Sequence, residues 1–350
     1  MELAVAPFRL LFNHPFGTAH GLRDGTDSVF VRLKVDGACG YGEATLPPYI
    51  EYSQSAVIDE LKAIELKSVF NLSQGSFLGG AVLDRLCPPT RTALTMAYIE
   101  LICSVKELSI NSYFQMDANG PRARAMVTLG HSDIDDIPLK LSELPQSEVL
   151  KVKLGAANDV AVMERVKLLD NRPLFLDANQ GWRSLAEAEA AIHAAGPERV
   201  LGVEQPFPKD RWDLHKALKD RLGIPVYGDE SIQGPADLER APEAFDGVNL
   251  KLVKCGGLDI AVRMAVRARE LGLKVMLGSM SESSLGSGAM FALADAADLL
   301  DLDGPWLIKN DPFEGLRMLN GLLERVDPSA PGFGIRLRPG HGLVFAPVGG

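Results

Sequence analysis

Five short apolar runs in the middle of the chain each end on charged residues. They read Leu150-Lys151-Val152-Lys153, Phe175-Leu176-Asp177-Ala178-Asn179, Val203-Glu204-Gln205-Pro206, Tyr227-Gly228-Asp229-Glu230 and Val248-Asn249-Leu250-Lys251. Their ends lie roughly 22 to 27 residues apart, about one strand, one helix and two short loops. Charges at the C-terminal ends of regularly spaced strands form the active face of a (β/α)8 barrel. A lone strand-end acid caps the next helix. Three in succession, Asp177, Glu204 and Asp229, would repel one another unless a hard cation joined them, and all-oxygen ligation points to Mg²⁺, with Mn²⁺ second. Glu230 is expected behind them, pairing with a lysine, and Asn179 is expected to hold a ligand or the substrate.

Lys151 and Lys153 are two apart on one strand, so both point to the same side, here the barrel interior. Buried lysines are costly, so two on an inward face need a reason. The like charge of Lys151, together with desolvation, should weaken Lys153's hold on its proton. Lys251 ends a strand nearly opposite in the ring, so its amine would approach a central substrate from the other face. Lys254 is expected at the rim. Two bases facing each other across a metal-held carboxylate suggest proton transfer at the adjoining carbon. One lysine removes the α-proton, the metal and Lys151 stabilise the resulting charge, and the opposite lysine returns a proton to the other face. The product is the inverted stereoisomer.

The elements that must position these residues follow from periodicity. Residues 1 to about 45 read as strands, with Val29–Val35 alternating and Asp36-Gly37 offering a tight turn into Gly40-Tyr41-Gly42-Glu43-Ala44. Gly17 to Gly25 is glycine-rich and polar, which predicts a mobile loop. The pattern is helical from about 53 to 108, so the N-terminal part is a separate α+β module. From about Ala125, strands and helices alternate. Ser184-Leu185-Ala186-Glu187 is a capping box, Gly196 a helix stop, and Ala236 to Phe245 and Ser284 to Ala297 are further helices. Counting 125–129 and 149–154 gives about eight strands. The expected architecture is a modified (β/α)8 barrel over 119–319 with an α+β capping domain over 1–118, to which the segment from about 320 to 350 returns.

At 350 residues with 46% hydrophobic content, the chain can bury a large core. The net charge of −10 argues against a nucleic-acid or anionic-membrane partner. The four cysteines lie far apart with no CxxC pair, as expected of reduced thiols in the cytoplasm. The Met1-Glu2-Leu3 start is interrupted by Pro7, Arg9 and Pro15, so no signal-peptide core is expected, and no apolar run reaches the ~20 residues of a membrane helix.

The motifs Lys151-x-Lys153, Asp177-Ala178-Asn179-Gln180-Gly181-Trp182, Glu204-Gln205-Pro206, Asp229-Glu230-Ser231, Asn249-Leu250-Lys251 and Asp301-Leu302-Asp303-Gly304 resemble those of the enolase superfamily, in its muconate-lactonizing branch. The dipeptide epimerases of the L-Ala-D/L-Glu type are the most similar. The resemblance runs from Pro15-Phe16 to Pro331-Gly332-Phe333-Gly334. It implies a capping domain over a modified barrel, Mg²⁺ on Asp177, Glu204 and Asp229, and Lys153 and Lys251 as acid/base groups. Read from the residues alone, Asp301 and Asp303 at alternate positions of the last strand make a negative subsite. In the dipeptide epimerases the matching pair holds the dipeptide's N-terminus. Arg23 matches the family's substrate-covering loop and could take a glutamate side-chain carboxylate by a bidentate contact. Thr128, Ser279 and Ser281 match pocket-lining positions. Thr95 and Glu100 stand where the family usually shows aspartates, and His20-Gly21-Leu22-Arg23 differs from the better-known loops.

The expected function is a Mg²⁺-dependent dipeptide epimerase acting on the C-terminal residue's α-carbon, with L-Ala-D/L-Glu, a peptidoglycan fragment, as first-choice substrate. A cytoplasmic homo-oligomer acting on a small molecule is expected, without nucleic-acid or membrane partners. Other readings keep the fold and metal but change the reaction (o-succinylbenzoate synthase, N-succinylamino acid racemase or muconate cycloisomerase), or make the chain a non-catalytic carboxylate-binding barrel.

Overall fold

The computed structural model describes residues 1–18, 21–71, 76–77, 80–116 and 122–348. Its N-terminal part is an antiparallel meander of β1 (Glu2–Thr18), β2 (Gly21–Val35) and β3 (Ala38–Leu46). Asp36 and Gly37 both take positive φ between β2 and β3, the conformation that a two-residue hairpin turn needs. Alternation along β2 divides two cores, with Val29, Val31 and Leu33 on one face and Phe30 on the other. The first face is covered by α1 (Gln54–Lys62) and α2 (Pro88–Lys106). Gly40 and Gly42 let α2 lie directly on β3, because a Cβ at either would run into the backbone of Ala97 or Ala93.

Two expectations change here. The helical pattern over 53–108 is broken, with short turns at Leu66–Val69 and Gly80–Leu83 between α1 and α2. Pro88 and Pro89 explain the restart, since proline fits a helix only in its first turn. In the glycine-rich segment of Gly17 to Gly25, the described residues 17–18 and 21–25 are strand, and β1 pairs with β2 through Phe16 with Arg23 and Leu11 with Gly25. His20 lies outside the described residues.

Eight parallel strands then close into a barrel in chain order: β4 (Arg124–Leu129), β5 (Val149–Lys153), β6 (Leu174–Asp177), β7 (Val200–Glu204), β8 (Val226–Gly228), β9 (Gly247–Leu250), β10 (Lys274–Gly278) and β11 (Leu299–Asp301). The helices around them include α3 (Ile137–Glu143), α4 (Asp159–Leu169), α5 (Leu185–Ala195), α6 (Trp212–Leu222), α7 (Leu258–Glu270) and α8 (Ser284–Phe291). At α5, Ser184 accepts from the Glu187 backbone N–H while Glu187 accepts from that of Arg183, and Gly196 ends the helix at positive φ. The helix expected over 236–245 is a single turn, Pro235–Leu238, followed by a 3₁₀ turn at Ala241–Glu243 that contains Pro242. The one expected from Ser284 to Ala297 ends at Phe291, with a 3₁₀ turn at Ala294–Ala296.

The interior is layered, because inward residues recur every second position. Met126, Val149, Phe175, Tyr227, Met276 and Leu299 pack together as an apolar plug. Gly202 and Gly247 make room for the Phe175 and Tyr227 rings. Two positions further along the same strands stand Thr128, Lys151, Asp177, Asp229, Gly278 and Asp301. The apolar floor therefore gives way to charge over one residue pair, which excludes water from beneath the site.

The N-terminal module is fastened to the barrel by ion pairs and hydrogen bonds. Arg91 of α2 donates to both oxygens of Asp259 (2.8 and 2.9 Å) and to the Gly256 carbonyl (2.6 Å). Glu43 of β3 accepts from the Ser283 hydroxyl (2.5 Å) and from the backbone N–H of Ser283 and Gly286. Near the C-terminus, Ala346–Pro347 adds a short strand to β1. No helix among the described residues is long and apolar enough to cross a membrane.

Candidate active site

A cavity of about 500 Å³ opens at the C-terminal ends of the strands. Its walls include Thr128, Lys153, Asn179, Asp229, Glu230, Lys251, Lys254, Ser279, Ser281, Asp301 and Asp303, with Arg23 and Tyr49 contributed by the N-terminal module. Lys153 ends β5 and Lys251 follows β9, four strands apart in either direction round the ring. The two amines thus enter from opposite walls.

The register sets Lys153, Asp177 and Glu204 side by side across three adjacent strands. Asp229 follows β8, the next strand. As the side chains stand, the acids turn to the lysines. Lys151 lies 2.9 Å from Asp177, 2.7 Å from Glu204 and 2.6 Å from Asp301. Lys153 donates to Asp177 (2.6 Å), and Asp229 receives Lys251 (2.7 Å) and Lys254 (2.5 Å). Among the described residues, no three acidic, histidine or cysteine side chains converge on a common point as a metal cage.

The electrostatics are those of a crowded, desolvated site. Burial alone would raise Asp177, but Lys151 and Lys153 hold it well below the ordinary carboxylate range. Asp229 is likewise held down, against burial, by Lys251 and Lys254. Glu204 is pushed up to about 8 by burial and by Asp177. Burial draws the Lys151 and Lys251 ammonium groups down, yet the surrounding carboxylates raise both well above the usual lysine value.

The residues suit a hard cation by donor type and by unspent acceptors. Buried Glu230 Oε2, Asn179 Oδ1 and Asn249 Oδ1 accept no hydrogen bond from the described residues, and Glu204 Oε2 lies near Lys151 without hydrogen-bond geometry. Such orphaned oxygens need an explanation, and an oxygen-seeking ion supplies one.

Several expectations are corrected. Lys254 is not a rim residue, because its amine is buried on Asp229 and on the Asn249 carbonyl. Glu230 forms no ion pair with a lysine among the described residues; its carboxylate accepts a long contact from Asn179 (3.5 Å), and burial with neighbouring Asp229 pushes it up to about 7. Asp303 lies just beyond the last strand, where it accepts the Thr128 backbone N–H (2.6 Å). Arg23 sits on β2, its guanidinium near the Phe12 and Tyr49 rings and donating to Thr26. Thr95 binds back to the Arg91 carbonyl and Glu100 accepts the Phe333 N–H, so both serve packing.

Sequence reasoning missed Gln205, Asn249 and Tyr49. Gln205, at positive φ, accepts from the backbone of Asp229 and Ser231, and thereby aligns two strand ends. Asn249 donates to Glu204 (2.7 Å). Their signal was their place within motifs whose charged members drew the attention. Tyr49 touches Met280 across the cavity mouth (2.9 Å), and only its Pro-Pro context marked it.

The pattern of the family described as "Enolase C-terminal domain-like" matches residues 140–341. The L-Ala-D/L-Glu epimerase of Bacteroides thetaiotaomicron is 32% identical over 338 residues, covering 96% of this chain and 88% of that one. A substrate-liganded L-Ala-D/L-Glu epimerase from Bacillus subtilis superposes with a TM-score of 0.82 at 26% identity, over 96% of this chain and 98% of that one. A dipeptide epimerase from Cytophaga hutchinsonii, complexed with Mg and D-Ala-L-Val, gives a TM-score of 0.86 at 22% identity, over 99% of each chain. The chain belongs to the enolase superfamily. Within it, this protein is an enzyme of the isomerase class, an epimerase.

Proposed function

We propose that this enzyme is a dipeptide epimerase that inverts the α-carbon of the substrate's C-terminal residue, with L-Ala-D/L-Glu as the first substrate to try. The observation that carries the proposal is the entry of Lys153 and Lys251 from opposite walls of one cavity. A proton taken on one side and returned on the other is inversion. Asp177, Glu204 and Asp229 would hold Mg²⁺, or Mn²⁺, by turning from their lysines. When bound, that ion supplies positive charge against the charge that grows on the substrate carboxylate. Lys151, already ringed by three acids, adds a fixed ammonium beside them. Asp303 offers its carboxylate to the dipeptide's ammonium, with Thr128 fixing its orientation. Arg23 offers a cation to an acidic side chain, and Ser279 and Ser281 contribute hydroxyls to the wall.

A dipeptide panel incubated in D₂O with Mg²⁺ and followed by NMR tests the reading. Deuterium should enter the C-terminal α-position as the epimer appears, and no exchange in any dipeptide would overturn it. A second reading, racemisation of an N-succinylamino acid, draws support from Asp301, which is tied to Lys151 and so leaves Asp303 alone to meet an ammonium. Asp303→Asn should cost a dipeptide epimerase at least a hundredfold in kcat/KM and leave an N-succinylamino acid racemase nearly unchanged.

A further inference from the structure

Beside the candidate active site lies a second cavity of about 390 Å³, outside the barrel wall next to β4. Thr128, Asp303 and Leu307 line both cavities, so Asp303 stands on the boundary between them. Its walls are largely apolar: Val127 and Leu129 from β4, Leu144 and Pro145 after α3, and Trp306. The polar groups around it are mostly engaged with each other. His14 pairs with Glu143 (2.7 Å), Lys140 donates to the His131 carbonyl and Ser132, and Asn13 donates to the Trp306 carbonyl (2.9 Å). The first and last of these contacts tie β1 to α3 and to Trp306. What remains for an occupant is chiefly apolar surface, in a volume typical of small-ligand sites.

We infer that this cavity receives the side chain of the dipeptide's first residue, and that the enzyme accepts large apolar or aromatic residues there. The inference rests on the dipeptide reading above. A first residue whose ammonium is held at Asp303 has its α-carbon at the junction of the two cavities, so its side chain has this cavity within reach. Alanine would leave most of it unfilled. Burying a leucine or phenylalanine side chain contributes about 1.5–3 kcal/mol, roughly 10- to 150-fold in kcat/KM over alanine.

The test keeps the second residue constant and varies the first through Gly, Ala, Leu and Phe, measuring kcat/KM for α-deuterium exchange. Leu-Xaa and Phe-Xaa should exceed Ala-Xaa by tenfold or more. Leu144→Trp, which fills the cavity from a half-buried position, should reverse that order while lowering Ala-Xaa by less than about threefold. Leu144→Ala covers the case of a misfolded tryptophan variant, and should cut Leu-Xaa several-fold more than Ala-Xaa. Equal rates across the series, or an equal loss for every first residue in both variants, would overturn the inference. Exchange absent even from Ala-Xaa would instead sink the dipeptide reading itself.

Discussion

Lys153 and Lys251 matter less for being lysines than for standing on opposite arcs of a closed ring. In the proposed reaction each amine would reach one face of a planar carbon, so removing one should split that reaction into halves. Lys251→Met should lower epimerisation by at least about a thousandfold, yet still exchange the α-proton of the stereoisomer that presents its hydrogen to Lys153. Lys153→Met should show the complementary stereochemistry. ¹H NMR of pure L,L and L,D dipeptides in D₂O distinguishes the cases, and loss of exchange in both isomers with either variant would count against opposed acid/base groups. Buried lysines cost too much to be idle, and for that reason these residues were legible in the sequence. Lys254 was misjudged because one-dimensional spacing does not show that the chain turns back over Asp229 immediately after β9.

At the scale of elements, the ends of β9 and β10 are coupled through a missing side chain. A Cβ on Gly278 would overlap the Asn249 amide, and that amide donates to Glu204. With Glu204 as the proposed Mg²⁺ ligand, Gly278→Ala should therefore dislodge Asn249 and weaken Mg²⁺ binding by about 10- to 100-fold, the usual cost of losing a group that orients a metal ligand. Calorimetric titration with Mg²⁺ checks this, and circular dichroism verifies the fold; undiminished affinity would dissociate Asn249 from the metal. Much at this level was readable beforehand. Regular spacing announced eight strands, and Ser184 with Gly196 bounded α5. Where reading failed, distant contacts had decided the outcome: residues 17–18 and 21–25 became strand because β1 and β2 pair again beyond Leu11 and Gly25.

Across the whole molecule, Glu43 joins the N-terminal sheet to the start of α8. Burial, with Glu282 and Asp311 nearby, pushes it up to about 8 despite its bonds to Ser283. Its pKa in the fold lies above the unfolded value, so the folded state binds the extra proton. The stability this adds is fully present below about pH 4.5 and declines as pH rises toward 8, by up to about 1.4 kcal/mol per pH unit. Glu43→Gln, which cannot ionise, should remove that slope. Denaturant unfolding at pH 5, 7 and 9 should show the variant gaining on the wild type at each step, and parallel curves would exclude the assignment. The Arg91–Asp259 pair that makes the other joint is visible only in three dimensions, since 168 residues separate its members.

Arg23, Tyr49 and the Asn13-His14-Pro15 corner all come from the N-terminal module, while the acids and amines belong to the ring below. The walls of the two cavities are thereby encoded in separate stretches of the gene. Grafting a relative's first hundred or so residues onto this barrel would replace one share of that lining and keep the other.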